Sequence, residues 1–378
     1  MKFLHLGDLH IGKRMNDVSL IEDQKYALDK IVNIALEEEV NAVLLSGDIF
    51  DKSVPSDEAF VLYGDFINQL VSNNIKIFII SGNHDSLSKL NYCSDIFEKS
   101  EIYISDDFKG QIDKVTLEDE YGEINIYLLP FLREGKIQKC FPNSDILNLS
   151  DGFRVIFGNN DIDFNNRNIL LTHQFLIGSE RSESEEVSVG GVDGVEAEQF
   201  RPFDYVALGH LHKTQSVKYD HIKYSGSLLK YSFSETDHTK GPIIVDIKEK
   251  GNIEIKQVPI DFMRDVRVIK GEFKNIMALD DSDDYIKVIL TDEIVPVDAK
   301  YDLQLKFNNM LMFRIENSKT AVEGDADVSF NIENVSIDEL FKNFYKERTN
   351  TEISEEQMKV IVRIFKKMEE DAKWNLFQ

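Results

Sequence analysis

A repeated pattern constrains this chain of 378 residues most: a short apolar segment ends in a polar motif beside glycine. The first such segment, residues 3–6, is followed by Gly7, Asp8 and His10. In extended backbone, residues two apart point to the same side, so Asp8 and His10 are expected to leave the end of one strand together. One Asp-x-His pair is weak evidence, but four later segments repeat the pattern.

Helical patterns lie between the first three of these apolar segments. Strands are predicted at 3–6, 42–45 and 75–80, and helices at 24–36 and 56–72. Strand, loop and helix in alternation indicate a layered α/β sheet, in which ligand-binding groups collect beyond the carboxyl ends of the strands. The middle of the chain is richer in β-structure, with strands predicted at 123–129, 168–172, 204–208, 222–224 and 242–247.

The pattern changes near residue 260. We predict three domains, at residues 1–262, 263–332 and 333–378. The second is predicted to be a smaller α+β domain with strands at 286–291 and 303–307. The third is predicted to be helical, because capping-box patterns at 336–339 and 354–357 would begin helices at 337–347 and 355–372. The last helix is apolar on one side, which it must bury against this chain or a partner.

The composition limits the kind of partner. A net charge of −25 argues against tight, unaided binding to nucleic acid, because phosphate binding normally needs lysine and arginine. Four readings are open: the substrate is not DNA, a partner supplies basic surface, bound divalent metals reverse the local field, or the acidity reflects only solubility. The two cysteines, without CxxC spacing, suit a reducing cytoplasm. We expect no signal peptide and no membrane span.

Polar residues at five predicted strand ends could together hold metal ions. A single histidine beside a strand is more often a satisfied polar residue than a ligand, but five of the eight histidines lie in these motifs. Mixed Asp, Asn and His ligands suit divalent transition metals, manganese especially. Two such ions can clamp a phosphoryl oxygen and activate a water. The residues concerned are Asp8, His10, Asp48, Asn83, His84, His173, His210 and His212.

These motifs resemble a known set. They are Gly7-Asp-Leu-His10, Gly47-Asp-Ile-Phe-Asp51, Gly82-Asn-His-Asp85, Thr172-His-Gln-Phe175 and Gly209-His-Leu-His212, and they look like the five motifs of the calcineurin-like metallophosphoesterases. Their order and separation most resemble the SbcD nucleases, bacterial members of the meiotic-recombination nuclease family. The resemblance implies a four-layer α/β/β/α core with a smaller α+β capping domain and C-terminal helices.

The resemblance also implies a ligand set for two ions, with Asp48 bridging them. One ion would be held by Asp8, His10, Asp48 and His212. The other would be held by Asp48, Asn83, His173 and His210. Manganese is the metal that the resemblance favours.

Two further residues receive roles by resemblance. His84 is similar to the histidine that protonates the leaving oxygen or stabilises the charged transition state, and Asp51 falls where the family places a group that orients this histidine. Protein phosphatases of the superfamily carry Arg after the second Asp of the second motif, where this chain has Lys52. The third motif ends in Asp85, where those enzymes commonly have Glu. Both differences favour the nuclease branch.

The function implied is that of a DNA nuclease subunit. By resemblance it would be an ATP-dependent double-strand 3′-to-5′ exonuclease and a single-strand and hairpin endonuclease. It would dimerise through the nuclease domain and work with an SbcC-type ATPase, two copies of each subunit forming a heterotetramer whose coiled coil receives the C-terminal helices. A phosphoesterase for small phosphodiesters or phosphoproteins is the alternative, and an adaptor with a vestigial site is a third hypothesis.

Three predictions concern residues outside the motifs. His5, inside the first strand, is expected to be a core residue. His221 and His238 are expected to lie on the surface or in loops. Residues 178–194 are predicted to form a mobile loop, and the charge run at 182–186 within it is expected to be exposed.

Overall fold

The structure is a computed structural model that describes residues 1–92, 94–182, 185, 194–318, 353–354 and 357–358. The chain divides into two compact units, Met1–Asn317 and Ser318–Gln378. In the second unit, the Ser354 N–H donates to Gln357 Oε1 at 3.0 Å and the Gln357 N–H donates to Ser354 Oγ at 3.3 Å, which confirms the capping box at 354–357. Otherwise the two predicted C-terminal helices lie outside the described residues.

Every strand and helix assigned below belongs to the first unit. Its strands are β1 Lys2–Leu6, β2 Arg14–Met15, β3 Val18–Ser19, β4 Ala42–Ser46, β5 Lys76–Ile80, β6 Ile102–Ile104, β7 Asp113–Asp119, β8 Gly122–Leu129, β9 Arg167–His173, β10 Tyr205–Gly209, β11 Gln215–Val217, β12 Tyr219–Tyr224, β13 Ile243–Ile247, β14 Ile253–Gln257, β15 Val266–Gly271, β16 Tyr285–Leu290 and β17 Met310–Ile315. Its α-helices are α1 Ile21–Glu37, α2 Asp57–Ser72, α3 Leu87–Leu90, α4 Ser94–Phe97, α5 Glu134–Cys140, α6 Leu149–Gly158, α7 Phe273–Met277 and α8 Ala299–Lys306.

Two six-stranded sheets form the centre of the unit. The first has the order β14-β13-β1-β4-β5-β6, and β1, β4, β5 and β6 run parallel within it. The second has the order β11-β12-β10-β9-β8-β7, and β8, β9, β10 and β12 run parallel. The parallel strands of each sheet therefore end at one common edge, which is where ligand groups collect in such sheets.

The two sheets pack face to face. Phe3, Leu44 and Phe78 of the first sheet form one buried cluster with Ile169 and Tyr205 of the second. This contact explains why the central strands are apolar on both faces rather than alternating, since each is buried on both sides.

Helices cover the outer faces of both sheets. Leu28 and Ile31 of α1, with Phe66 of α2, pack on the first sheet. Ile137 of α5 and Phe153 of α6 pack on the second. The four layers are thus α/β/β/α, as the family resemblance implies. Among the described residues, no helix has both the length and the apolar character needed to cross a membrane.

A third sheet follows the core. It contains the parallel strands β15, β16 and β17, with α7 and α8 packed against it. Arg264 Nε donates to Asp23 Oδ1 at 3.0 Å, and the Tyr285 hydroxyl donates to Asp23 Oδ2 at 2.8 Å, so the start of α1 anchors this sheet. The three predicted domain boundaries stay a prediction.

One predicted strand is wrong. Residues 303–307 belong to the end of α8 and its C-cap rather than to a strand. Leu303 and Phe307 lie four residues apart and are both buried, as are residues on one face of a helix. The prediction that His5 is a core residue is confirmed: it is fully buried, and its ring nitrogens contact the hydroxyls of Tyr205 and Ser46 at 2.8 and 2.9 Å.

Candidate metal centre

The loops after β1 and β4 run side by side at the carboxyl edge of the first sheet. The Asp8 N–H donates to the Gly47 carbonyl at 3.0 Å, and the His10 N–H donates to the Asp48 carbonyl at 2.9 Å. Asp8, His10 and Asp48 have φ angles of 53°, 44° and 49°, in the left-handed region. Asp8 and His10 do reach one site, but by left-handed backbone and not by the extended backbone expected from the sequence. Such strained residues cluster at functional sites in proteins.

Glycines let the edges of the two sheets approach closely. A Cβ on Gly209, at the end of β10, would lie 1.9 Å from the carbonyl oxygen of Ser46, at the end of β4. A Cβ on Gly82 would lie 2.1 Å from Asp48 Oδ1. The glycines of the motifs thus bring side chains from different sheets to one point.

One group of side chains contains Asp8, His10 and His212. His10 Nε2 and His212 Nε2 are 3.2 Å apart, and both side chains are buried. The Asp8 carboxylate accepts a hydrogen bond from the His210 N–H at 3.0 Å, which joins the loop after β1 to the loop after β10. Asp8, His10 and His212 are close enough in space to share one metal ion.

A second group contains Asn83, His173 and His210. Asn83 Oδ1 lies 3.1 Å from both His173 Nε2 and His210 Nδ1. The Ser46 carbonyl, 2.8 Å from His173 Nδ1, accepts the proton of that nitrogen, so that Nε2 faces Asn83. Phe131 stacks on the His210 ring, with centroids 6.3 Å apart, and forms one wall of the site.

Asp48 lies between the two groups. Its Oδ2 is 3.3 Å from His173 Nε2 and 3.8 Å from His10 Nε2, while its Oδ1 accepts from the His84 N–H at 2.9 Å. Asp48 is buried, whereas Asn83, His84 and His210 are only half-buried. The site is therefore closed on the Asp8 side and accessible on the side of the last three residues.

The buried charges in this site depend on one another. Burial alone would raise the pKa of Asp48, but the charge and hydrogen bond of His173 outweigh this effect and hold the pKa below its usual range. Burial would lower the pKa of His173, but Asp48 reverses that effect and raises it to about 9. Burial also raises the pKa of Asp8. Without a metal ion, Asp48 therefore favours the protonated form of His173, and metal binding at Nε2 requires loss of that proton.

Comparisons with known proteins identify the relatives of this chain. Residues 1–214 match the calcineurin-like phosphoesterase family, and residues 263–349 match a family described as the type 5 capsule protein repressor C-terminal domain. The SbcD subunit of the SbcCD nuclease from Staphylococcus epidermidis is 32% identical over 94% of this chain and 96% of its own. The protein of the same name from Staphylococcus saprophyticus is 33% identical over 98% of this chain and 100% of its own. The chain belongs to the SbcD family of calcineurin-like phosphoesterases.

Two solved structures show a distant likeness to this chain. A dimetal phosphatase from Danio rerio aligns with a TM-score of 0.41 and 11% identity, over 70% of this chain and 98% of its own. A protein from Thermus thermophilus aligns with a TM-score of 0.38 and 12% identity, over 68% of this chain and 98% of its own.

As a member of this family, the chain is a metal-dependent hydrolase that acts on phosphodiester bonds, and the residues present fit divalent ions. Two histidine nitrogens 3.2 Å apart repel each other unless a proton or a cation lies between them. His10 Nδ1 is buried without a hydrogen-bond partner among the described residues. Aspartate, asparagine and histidine are also the donors that first-row divalent ions accept.

His84 and Asp51 meet through the main chain. The carbonyl of Asp51 lies 3.0 Å from His84 Nδ1 and accepts its proton, so Nε2 can donate to a substrate only when the ring is in its imidazolium form. The Asp51 carboxylate instead accepts a hydrogen bond from Lys13 Nζ at 2.8 Å. His84 also lies close enough to His10 and Asp48 for these three to bind one metal ion, so its role as an acid rather than a ligand stays a proposal.

Two residues that support the site of this SbcD-family chain, Gln24 and Asp85, received no supporting role from sequence. Gln24 Nε2 donates to the His10 carbonyl at 2.8 Å, and its Oε1 accepts from the Gly12 N–H at 2.9 Å. Asp85 accepts from the N–H groups of Ile49, Phe50 and Gly82 at 2.9–3.1 Å. Asp85 lies in a recognised motif, whereas no motif marks Gln24.

A further miss concerns the charge run at 182–186. Its expected exposure is wrong at Glu185, which is 8% exposed and accepts a hydrogen bond from the His212 N–H at 2.7 Å. Residues 183–184 and 186–193 lie outside the described residues. His238 lies in a loop, as expected, with its Nδ1 3.9 Å from the Glu235 carboxylate, whereas His221 lies in β12 and is half-buried.

Proposed function

We propose that this chain is a DNA nuclease subunit that hydrolyses phosphodiester bonds with two manganese ions. The observation that carries the proposal is the convergence of side chains from five strand ends on a centre at which Asn83, His84 and His210 are half-buried. The two relatives described above are both named as nuclease subunits, which supports DNA as the substrate class.

The proposed ligands divide as the geometry groups them. Asp8, His10 and His212 would hold one ion, Asn83, His173 and His210 the other, and Asp48 would contribute to both. When bound, two such ions supply Lewis-acid stabilisation of the phosphoryl oxygens and a water activated for in-line attack. Side chains of this chain would supply the remaining step, which is stabilisation of the leaving oxygen.

His84 is proposed to act on the leaving oxygen. It stands on the accessible side of Asp48, with Nδ1 held by the Asp51 carbonyl at 3.0 Å. In the imidazolium form, its Nε2 would donate a proton to the departing 3′ or 5′ oxygen, or stabilise the charge on the phosphoryl group. Asp51 would orient this ring through its main chain.

The proposed activities are an ATP-dependent double-strand 3′-to-5′ exonuclease and a single-strand and hairpin endonuclease, acting in DNA repair, recombination and replication. The net charge of −25 opposes DNA binding by this chain alone. An SbcC-type ATPase would supply the grip on DNA, in a heterotetramer with two copies of each subunit. Residues 333–378 are proposed to dock on its coiled coil; apart from 353–354 and 357–358 they lie outside the described residues.

The substrate class can be tested directly. We expect the chain, with manganese, the partner ATPase and ATP, to cleave a DNA hairpin, because the site is built for a phosphodiester and the partner overcomes the repulsion of DNA. Cleavage would be followed on gels beside hydrolysis of bis(p-nitrophenyl) phosphate. A chain ending at residue 334 is the matched control: it should keep hydrolysis of the small ester and lose ATP-stimulated cleavage of the hairpin.

Two results would contradict parts of this proposal. Hydrolysis of the small ester with no DNA cleavage under these conditions would favour the alternative, a phosphoesterase for small phosphodiesters or phosphoproteins. Full ATP-stimulated cleavage by the shortened chain would refute docking through 333–378.

We also propose a homodimer through the nuclease domain, because exposed apolar side chains gather at one place on it. Val54, Phe60 and Val61 are 72%, 41% and 63% exposed, and Tyr92 is 76% exposed. Lys89 Nζ donates to the Ser53 carbonyl at 2.7 Å and so holds the short helix α3, next to Tyr92, against the loop that carries Val54. Clustered apolar exposure of this kind marks interaction sites.

The dimer is expected to depend on these side chains. A Val61→Glu, Tyr92→Glu double variant should weaken association by about tenfold or more, because two charges would have to be buried in an apolar contact. Sedimentation equilibrium would measure the dissociation constant. Ile294→Glu is the matched control and should leave association unchanged. Ile294 is 86% exposed and lies between β16 and α8. A double variant that dimerises like the wild type would exclude this surface.

A further inference from the structure

A buried ion pair lies directly behind His212. Lys240 and Glu235 are 1% and 0% exposed, and Lys240 Nζ is 2.6 Å from Glu235 Oε2. The ammonium group also donates to Ser227 Oγ at 2.7 Å and to the His212 carbonyl at 2.7 Å. The three protons of Lys240 therefore have three acceptors, and one of these belongs to a proposed metal ligand.

The other oxygen of Glu235 faces the His212 ring. Glu235 Oε1 lies 3.3 Å from His212 Nδ1. A carboxylate only accepts, so it favours the tautomer in which Nδ1 carries the proton. The lone pair of Nε2 then points away from Glu235, towards His10 Nε2 at 3.2 Å.

Burying two charged groups costs desolvation free energy, which an apolar contact of the same size would not require. Replacing a buried ion pair by apolar side chains of similar size is often neutral or stabilising, so the pair is weak evidence for a stabilising function. Here both charged groups converge on the same residue, Lys240 on its main chain and Glu235 on its ring. In metal sites, a carboxylate on the second ring nitrogen fixes the orientation and tautomer of a histidine ligand.

We propose that Glu235, itself held by Lys240, is a positioning residue that fixes His212 as a metal ligand. Lys240 holds Glu235 in place through the 2.6 Å contact with Oε2 and restrains the backbone of His212 through its carbonyl. Glu235 holds the proton on Nδ1 and aims Nε2 into the site. The inference rests on the proposed role of His212 as a ligand, and it assigns two residues that no sequence motif marks.

Two double variants test the proposal without leaving an unpaired buried charge. Both replace Lys240 by methionine; one adds Glu235→Leu and the other Glu235→Gln. At position 235, the Gln side chain keeps an oxygen that can accept a hydrogen bond from His212 Nδ1, whereas the Leu side chain has no acceptor. By titration calorimetry with manganese, we expect E235L/K240M to bind the ion at the His212 side about 10- to 100-fold more weakly than wild type, and E235Q/K240M to recover most of that loss.

A second readout needs no metal. Long-range nitrogen–proton NMR spectra of the metal-free protein report which nitrogen of His212 carries the proton. We expect the Nδ1–H form in wild type and in E235Q/K240M, and a shift towards the Nε2–H form in E235L/K240M. A structural role alone would not move this signal.

The control removes another ion pair of the core. Arg167, 3% exposed, pairs with Asp119 at 2.6 Å at the opposite end of β9. A D119L/R167M variant should keep wild-type manganese affinity and the wild-type His212 tautomer even where its unfolding temperature falls. If E235L/K240M keeps both, the positioning role is refuted. If the wild type itself binds no manganese, the proposed function fails, while the tautomer measurement still decides the role of Glu235.

Discussion

Asp48→Asn is expected to lower phosphodiester hydrolysis by about a thousandfold or more and to remove bound manganese. Asp48 is the side chain shared between the two groups, with Oδ2 3.3 Å from His173 Nε2 and 3.8 Å from His10 Nε2. Asparagine preserves the shape but removes the charge, and its amide can no longer satisfy two cations at once. Each tenfold loss of rate corresponds to about 1.4 kcal/mol, so a thousandfold loss is about 4 kcal/mol of transition-state stabilisation.

Metal content and rate should be measured on the same preparations. Mass spectrometry of the elements gives manganese per chain, and bis(p-nitrophenyl) phosphate gives a rate that does not depend on the partner ATPase. Asp145→Asn, at an exposed carboxylate, is the matched control and should behave as wild type. Two ions per chain and full activity in the Asp48 variant would show that Asp48 does not bridge the proposed centre.

The core of the fold follows from sequence because each central strand ends abruptly. Glycine and charged residues directly after apolar runs place the ends of β1, β4, β5, β9 and β10 within one residue of the prediction. The strands that were missed from sequence are weaker in pattern. β7, with the sequence DKVTLED, is mostly polar, and β14, with the sequence IEIKQ, pairs only with β13, so both depend on their neighbours in the sheet.

Dependence on tertiary neighbours also explains why the strand predicted at 303–307 is wrong. The sequence LQLKF alternates apolar and polar residues, which is typical of a strand, but Leu303 and Phe307 also fit one face of a helix. The helix α8 packs this face on the third sheet, where Leu303 and Phe307 are buried with Val288. Tertiary packing decides between two readings that the short segment leaves open.

Sequence motifs identify the residues whose side chains point into the site. They do not identify the residues that hold those side chains in place. Gln24 reaches the His10 carbonyl across 14 positions, and Glu235 reaches His212 across 23. Neither has a local pattern, because a single buried polar residue has no periodicity of its own. The left-handed backbone at Asp8, His10 and Asp48 is equally invisible from sequence, since aspartate and histidine adopt it only where surrounding contacts hold it.

His84→Gln is expected to lower DNA cleavage by about 10²- to 10⁴-fold without loss of metal. The His84 ring stands 4.9 Å from the His10 ring, on the accessible side of the centre, with Nδ1 held by a carbonyl. Glutamine can still donate a hydrogen bond but cannot transfer a proton. The loss should therefore be large for DNA, whose leaving alkoxide needs protonation.

The leaving group separates this role from metal binding. p-Nitrophenolate departs without a proton, so the His84→Gln variant should lose much less activity on bis(p-nitrophenyl) phosphate than on DNA. His221→Gln, at a half-buried histidine that contacts the Arg201 carbonyl, is the matched control and should leave both rates unchanged. Because His84 is also near enough to His10 and Asp48 to be a ligand, manganese content decides the matter. Equal losses on both substrates, together with loss of an ion, would make His84 a ligand rather than the acid.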